Sequence, residues 1–312
     1  MILNVVYFLA ALFFLVKSAE FATNYASRLG KILHLSEFIV SFFIVSVISV
    51  FPEGTIAIMS AFQGVPSFGL GTLLGSNVAD LTLVLGLVAL FSLKGIPIKS
   101  EILKKDYYYL FLMLVPVLLG WDGHFSRTDG LLLIISGIFF YVTLSIESHM
   151  FRKKANNIEH ASFVNNVLLL ILSLAVLIFS ANYTIEYGVA LANKLNVPSV
   201  LIGLTVVAIG TCLPELFFSI KSVKKNKNAL ALGDLLGTVI TDATILVGLT
   251  AIINPFTFNP NIIYVTGTAM FLACAFALLF IRTDRLLTKK EGIYLILFYI
   301  LYLLVELLVN KA

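Results

Sequence analysis

Two acidic residues lie inside apolar stretches, each directly after a proline, and the residues around them repeat. Glu53 and Glu215 are 162 positions apart, and the same offset relates the downstream acids Asp80 and Asp242. An ionisable side chain inside a bilayer is costly and marks a functional site by default. Acids at matching positions in two halves of a chain are typical of the centre of a transporter built from repeats.

Hydroxyl side chains share the helical faces of these acids. Ser49 and Thr211 each stand four residues before one of the two glutamates, which is one helical turn. Ser76 and Thr238 stand four residues before the two aspartates. A proline inside a helix also frees backbone carbonyl oxygens in the preceding turn. The sequence therefore predicts a compact group of carboxylate, hydroxyl and carbonyl oxygens.

The segments that carry these acids contain no basic residue. Lys and Arg are absent from residues 38–93, 198–220 and 229–253. A buried carboxylate without a basic partner takes a proton or binds a cation. Oxygen donors without histidine or thiolate clusters favour Ca²⁺, Na⁺ or Mg²⁺ over zinc or copper. A further acid, Asp234, fits either a functional role or a protonated packing role, and both remain open at this point.

Composition predicts an all-α integral membrane protein. Sixty per cent of the 312 residues are apolar and 12% are charged, and several apolar runs reach the roughly 20 residues that cross a bilayer as helix. The first and sixth runs are long enough to indicate tilted helices. We predict about ten transmembrane helices, at 2–24, 37–62, 67–92, 106–121, 130–148, 163–193, 198–221, 229–253, 258–281 and 291–309.

The basic residues alternate from one connection to the next. Seventeen lie in the odd-numbered connections and three in the even connections and the C-terminus, with Lys17 inside the first span. By the positive-inside rule the odd connections are cytoplasmic and both termini lie outside. We expect the protein in the plasma membrane. We also expect Lys17 and Glu20 to pair or snorkel near the cytoplasmic end, and Glu306 to lie at the outer interface.

The ten predicted spans divide into two sets of five. We predict a first five-helix repeat at 1–148, a cytoplasmic linker at 149–161 and a second repeat at 162–312. An odd number of helices in each half inverts the second half relative to the first. The two proline–glutamate segments would then meet in opposite orientations near the middle of the membrane.

The repeated segments resemble the paired α-repeats of the calcium/cation antiporter superfamily, and the ten-span layout is similar to that of prokaryotic sodium/calcium exchangers. The second copy, residues 210–215, matches the family pattern G-T-S-x-P-E closely, and the first copy, residues 48–53, is degenerate. The resemblance implies exchange of Ca²⁺ for Na⁺ by alternating access, without a cofactor, with Glu53 and Glu215 as the main cation ligands. It also implies a set that completes the sites: Ser49, Thr211, Ser76, Thr238, Asp80 and Asp242.

The departures from the family pattern concern neutral oxygen donors. Val50 and Cys212 replace serines, and Thr72 and Asp234 replace asparagines. We expect Cys212 to be a buried thiol rather than a ligand. The driving ion stays open, and a Ca²⁺/H⁺ or K⁺-dependent antiporter is the main alternative. A cation channel fits the repeats less well. An intramembrane enzyme lacks a nucleophile–base pair in the sequence.

Overall fold

The computed structural model of the chain describes residues 2–32, 49–92, 95–97, 106–147, 160–225, 228–282 and 286–310. These residues form helices and two short antiparallel strand pairs. The beginning of the predicted span 37–62 and nearly all of the predicted linker 149–161 lie outside the described residues. The all-α class is therefore confirmed for the part of the chain that is described.

Among the described residues, the first half contains six helices and two strands. A π-helical turn, Asp80–Val84, joins the third helix to the fourth without a break. The elements are α1 (Ile2–Ile32), α2 (Phe51–Phe62), α3 (Pro66–Ala79), α4 (Leu85–Phe91), β1 (Ile96–Pro97), α5 (Asp106–Leu119), β2 (His124–Phe125) and α6 (Arg127–Glu147).

The described elements of the second half follow the same order, with two additional four-residue helices before the helix that carries Glu215. Three π-helical turns, Gly203–Val207, Thr241–Leu246 and Ile263–Gly267, continue into the α-helices that follow them. The elements are α7 (His160–Leu195), α8 (Ser199–Ile202), α9 (Ala208–Thr211), α10 (Leu213–Lys224), α11 (Asn228–Ile240), α12 (Val247–Ile253), β3 (Phe256–Thr257), α13 (Thr268–Arg282), β4 (Leu286–Leu287) and α14 (Lys289–Asn310).

Among the described residues, seven helical stretches are long and apolar enough to cross a membrane. Many of their large apolar side chains are exposed, as expected for surfaces that face lipid. The multi-pass membrane class is confirmed, while the number of ten spans stays a prediction. The prediction that the first and sixth spans are long is confirmed, since α1 has 31 residues and α7 has 36.

Each central glutamate lies in the first turn of a new helix. The chain turns at Val50 before α2 and at Cys212 before α10, and the backbone angles at the two turns are nearly equal, with φ −70° and −72° and ψ −9° and −6°. Proline follows at the start of each new helix, where its missing N–H leaves no intrahelical hydrogen bond unmade. Both proline–glutamate segments therefore fold in the same local way.

Two close helix contacts are related by the 162-residue offset. A Cβ atom built on Gly86 would lie 2.6 Å from the carbonyl oxygen of Gly292, and one built on Gly248 would lie 2.6 Å from that of Gly130. Adding 162 to 86 and 130 gives 248 and 292, so the offset turns each contact into the other. Small residues permit this approach of two membrane helices.

The two strand pairs are also mapped onto each other by a sequence offset. Strand β1 pairs with β4, and β2 pairs with β3, both antiparallel. The offset of 162 places β2 on β4, and an offset of 160 places β1 on β3. Contacts between the halves thus occur in two equivalent copies, while the repeat boundaries stay a prediction.

We expect Gly86→Ala and Gly248→Ala to destabilise the protein. The added methyl group would meet a backbone carbonyl that cannot move aside, and overpacking of this kind costs about 1–3 kcal/mol. Thermal unfolding in detergent would measure the loss. Gly267→Ala is the matched control, because its Cβ would meet a side-chain methyl group of Val117 at 3.2 Å. Equal melting temperatures for all three variants would contradict the expectation.

Two expectations for charged side chains have opposite outcomes. Lys17 Nζ pairs with Glu20 Oε2 at 2.7 Å, as predicted. The placement of Glu306 at the outer interface was wrong, because its side chain is fully buried. Thr266 Oγ1 donates a hydrogen bond to Glu306 Oε2 at 2.7 Å, which gives this carboxyl a polar partner inside the helix packing.

The predicted membrane orientation can be tested with cysteine reporters. We expect reporters at 222–228 and 152–158 to label from the cytoplasmic side, and reporters at 64–66 and 255–257 to label from outside. Cys212 and Cys274 are buried in the structure, so the native background should be low. Labelling of 64–66 and 223–226 from the same side would contradict an inverted arrangement of the repeats.

Candidate cation site

The four predicted acids come together inside the helix packing. Glu53, Asp80, Glu215 and Asp242 are all 0% exposed. Glu53 lies within electrostatic range of the other three. These residues come from the starts of α2 and α10 and from the π-helical turns after α3 and α11. Residues far apart in the sequence thus form one acidic centre.

The π-helical turns begin at or next to the aspartates. Asp80 is the first residue of one turn, and Asp242 is the second residue of the other. A π-helical turn is rare and is found frequently at functional sites, because it rotates the side chains that follow it out of the regular helical register. The two halves therefore place their aspartates with the same unusual local geometry.

The predicted serines contact aspartates of the opposite half. Ser76 Oγ lies 3.2 Å from Asp242 Oδ2 and 3.0 Å from the carbonyl oxygen of Leu73. Ser49 Oγ donates to Asp234 Oδ1 at 2.9 Å, although the sequence placed Ser49 on the face of Glu53. Both contacts join the first half of the chain to the second.

Asp234 belongs to the acidic centre. It is 1% exposed and lies within electrostatic range of Asp80 and Glu215. The sequence left its role open, because only its neighbours match the family pattern. The hydrogen bond from Ser49 holds the Asp234 side chain in this centre. The equivalent residue in the first half is Thr72, which carries no charge.

The predicted threonines are buried beside the glutamates and aspartates. Thr211 is fully buried next to Glu53, and its hydroxyl donates to the carbonyl oxygen of Ala208 at 3.1 Å. Thr238 is also fully buried, and within the described residues its hydroxyl has no hydrogen-bond partner. Both threonine oxygens keep lone pairs available for a cation.

Most of the carboxylate oxygens lack a donor. In the described part of the chain, both oxygens of Glu53, Asp80 and Glu215 accept no hydrogen bond, and one oxygen of Asp242 accepts none. Leaving a buried acceptor unpaired costs about 1–3 kcal/mol, and more when it is charged. Among the described residues, no salt bridge involves these acids, so a bound cation or a proton would supply the positive charge.

The oxygen ligands available at this site fit a hard cation such as Ca²⁺. Within the described residues, no three acidic, histidine or cysteine side chains are grouped as they would be in a complete metal site. Ca²⁺ takes six to eight oxygen ligands, which include carbonyls and neutral side chains. A cation bound here would therefore use the hydroxyl and carbonyl oxygens together with one or two carboxylates.

Two residues near the centre were assigned no site role from the sequence. Tyr141 contacts the carbonyl oxygen of Gly237 at 3.2 Å and the hydroxyl of Thr241, next to Asp242. Tyr299 is 3% exposed and lies within electrostatic range of Asp80 and Cys212. The sequence feature that could have pointed to them is a tyrosine within an apolar span. Cys212 is buried as predicted, and its thiol contacts the carbonyl oxygen of Ser76 at 3.6 Å.

The fold defines a multi-pass membrane protein with buried acids at its centre. The family described as "Sodium/calcium exchanger protein" matches the chain twice, at residues 3–146 and 165–308. The chain therefore belongs to this family. The second match begins and ends 162 positions after the first, which is the offset of the repeated acids.

Two relatives and a solved structure are similar to nearly the whole chain. The chain is 27% identical to the sodium/calcium exchanger MaX1 of Methanosarcina acetivorans, over 97% of this chain and 98% of the relative. It is 28% identical to the putative antiporter CaxA of Alkalimonas amylolytica, with the same coverage. The solved structure of the sodium-calcium exchanger NCX_Mj is similar with a TM-score of 0.68 and 25% identity, over 96% of this chain and 97% of that one.

Proposed function

We propose that the chain is a secondary active antiporter that exchanges Ca²⁺ for Na⁺. The observation that carries the proposal is the pair of fully buried glutamates, Glu53 and Glu215, whose oxygens accept no hydrogen bond from the described residues. They are the main cation ligands. The site is completed by Ser49, Thr211, Ser76, Thr238, Asp80 and Asp242, and Asp234 contributes through Ser49.

Alternating access follows from two repeats that pack against each other around this site. The exchanged glycine contacts and strand pairs support a first repeat at 1–148 and an inverted second repeat at 162–312. If one repeat rocks against the other around the site, the site opens first to one side of the membrane and then to the other. In this proposal the termini lie outside the cell and the membrane is the plasma membrane.

Protons are the second candidate for the driving ion. Two of the neutral donors that the family pattern offers are replaced by Val50 and Cys212, which removes oxygen ligands for extra Na⁺. The buried acids still need neutralisation, and a proton needs only one oxygen. This observation favours a larger share of H⁺ than in an exchanger with the complete pattern.

The test is ⁴⁵Ca²⁺ uptake into proteoliposomes of the purified protein under an imposed Na⁺, K⁺ or pH gradient in turn. Uptake that requires an outward Na⁺ gradient supports Ca²⁺/Na⁺ exchange. Uptake driven by the pH gradient alone would replace Na⁺ by H⁺ as the driving ion, and a requirement for the K⁺ gradient would indicate K⁺-dependent exchange. Uptake that needs no counter-ion would identify a channel and contradict the proposal.

A further inference from the structure

Side-chain contacts along α2 hold this helix against α7. Gln63 follows the last residue of α2, and its Nε2 donates a hydrogen bond to Asn182 Oδ1 of α7 at 2.7 Å. Closer to the start of α2, Ile56 is fully buried in one apolar cluster with Ala181 and Ile185 of α7. The predicted orientation places the Gln63 end of α2 on the outer side of the membrane. These contacts therefore hold α2 and α7 together at the predicted outer side.

A further contact ties the same end of α2 to α12. Asn254 follows the last residue of α12, and its Nδ2 donates to the carbonyl oxygen of Ala61 at 3.1 Å. Ala61 lies in the last turn of α2. Two elements of the second half of the chain therefore fix the end of this helix.

The repeat supplies a counterpart for the amide pair. Adding 162 to 63 gives Lys225, and subtracting 162 from 182 gives Glu20. Lys225 follows the last residue of α10, just as Gln63 follows α2. Glu20 and Asn182 are each preceded by a serine and an alanine, which supports the alignment of α1 with α7. The counterpart of the outer hydrogen bond would thus be an ion pair at the predicted cytoplasmic side.

The structure does not contain this ion pair. Glu20 Oε2 accepts from Lys17 Nζ at 2.7 Å within α1. Lys225 is exposed, and it forms no salt bridge with any residue in the described ranges. The end of α10 is therefore not tied to α1 in the way that α2 is tied to α7.

Two other contacts of α2 also lack counterparts at α10. The counterpart of Asn254 is Ser92, whose hydroxyl donates to the carbonyl oxygen of Ala89, three residues earlier, at 2.7 Å. The counterpart of the buried Ile56 is Phe218, which is partly exposed. The difference between the two ends thus extends over several residues of each helix.

The contacts between the halves are therefore of two kinds. The close glycine contacts and the strand pairs occur in both copies, whereas the contacts that fix α2 occur in one copy. In a transporter built from inverted repeats, one part of the protein rocks against the other around a fixed site. If the two repeats exchange conformations when access changes sides, contacts found in both copies persist. Contacts found in one copy are then lost there and form in the other.

We propose that Glu20 and Lys225 are the cytoplasmic closing pair of the transport cycle, and that Glu20 exchanges Lys17 for Lys225 when access passes from the cytoplasmic to the outer side. The inference rests on the proposed function and names residues that control access to its site. An exposed ion pair contributes little to stability, so the exchange leaves the two states close in free energy, as a transport cycle requires. The amides of Gln63 and Asn182 show that a hydrogen bond without charge closes the other side.

The test is cross-linking of a Glu20→Cys/Lys225→Cys variant in proteoliposomes with propanediyl bismethanethiosulfonate, a short reducible reagent. Before cross-linking, ⁴⁵Ca²⁺ uptake should be close to that of the wild type. Cross-linking should lower uptake at least about tenfold, because it holds the cytoplasmic side closed, and dithiothreitol should restore it. Wild-type protein treated with the same reagent is the control, since Cys212 and Cys274 are buried.

Glu20→Cys/Lys224→Cys is the matched control pair. Lys224 is adjacent to Lys225, but its counterpart Phe62 is 69% exposed, so the repeat places residue 224 away from α1. We expect this pair to cross-link at least about fivefold more slowly than Glu20→Cys/Lys225→Cys. The rate is measured as the loss of the added thiols in a gel shift with polyethylene glycol maleimide after denaturation.

A second cysteine pair reports the opposite state. Gln63→Cys/Asn182→Cys should cross-link in the state that the structure shows. Cross-linking of both pairs is measured in Na⁺, in Ca²⁺ and without either ion. A condition that speeds cross-linking of one pair should slow it for the other, because closing one side opens the other. Rates that rise and fall together would contradict the exchange.

The remaining outcomes separate the inference from the proposed function. Equal cross-linking rates for Glu20→Cys/Lys225→Cys and Glu20→Cys/Lys224→Cys would overturn the inference, and so would undiminished uptake after complete cross-linking of the first pair. A wild-type protein without Ca²⁺ uptake would contradict the proposed function instead. The cross-linking rates need no transported Ca²⁺, so they would still decide whether Glu20 and Lys225 meet.

Discussion

Glu53→Gln and Glu215→Gln should each abolish Ca²⁺ flux while the protein remains folded. Glutamine keeps the volume of glutamate and its hydrogen-bonding capacity, but it removes the charge that a dehydrated Ca²⁺ requires. Losing one member of a buried charge pair costs about 3–5 kcal/mol, which corresponds to a loss of at least about 100-fold. Initial rates of ⁴⁵Ca²⁺ uptake into proteoliposomes would measure the loss.

The control for the glutamate variants is Glu20→Gln. Glu20 is half exposed in its pair with Lys17, and the same substitution there should leave flux close to that of the wild type. Asp234→Asn should reduce flux less than either glutamate variant, because asparagine still accepts the hydrogen bond from Ser49. Normal flux in both Glu53→Gln and Glu215→Gln would remove these residues from the site.

Acidification should inhibit Ca²⁺ binding and flux strongly. Glu53, Glu215, Asp80 and Asp242 would carry four negative charges if all were ionised, and one Ca²⁺ neutralises two of them. Neighbouring buried carboxylates share protons as a coupled set. Each proton added at low pH neutralises a carboxylate and competes with Ca²⁺, so binding should weaken as the pH falls from about 8 to 5.5.

The aspartates should set the shape of this pH profile. Asp80→Asn or Asp242→Asn removes one group that takes up a proton, so each variant should have a shifted or flatter profile and keep part of its Ca²⁺ exchange. The measurement is Ca²⁺ uptake at fixed Na⁺ and Ca²⁺ concentrations over that pH range. A wild-type profile without pH dependence would mean that Na⁺ or a second divalent cation neutralises the remaining charge.

Local chemistry made much of the site predictable. A carboxylate in an apolar segment has to face a polar interior in any membrane fold, and a proline in the middle of an apolar stretch interrupts the helix there. Glu53 and Glu215 could therefore be assigned to the interior before their surroundings were known. Repetition at one offset, with no gap, added that the two segments are equivalent.

Contacts between distant segments were not predictable in the same way. The pairing of Ser49 with Asp234 joins positions 185 residues apart, and helical spacing had placed Ser49 beside Glu53. Glu306 was assigned to the outer interface because it lies near the end of the last apolar run. Its burial depends on Thr266 from another helix, and this partner cannot be recognised from the spacing of residues on α14.

The sequence by itself determined the membrane class, the duplication and the four central acids, because each depends on the composition of a segment or on a repeated order of residues. Only the tertiary structure decided which hydroxyl serves which acid and that Asp234 belongs to the centre. Such contacts depend on the rotation and approach of neighbouring helices, which residues such as Gly86 and Gly292 set by steric fit rather than by periodicity.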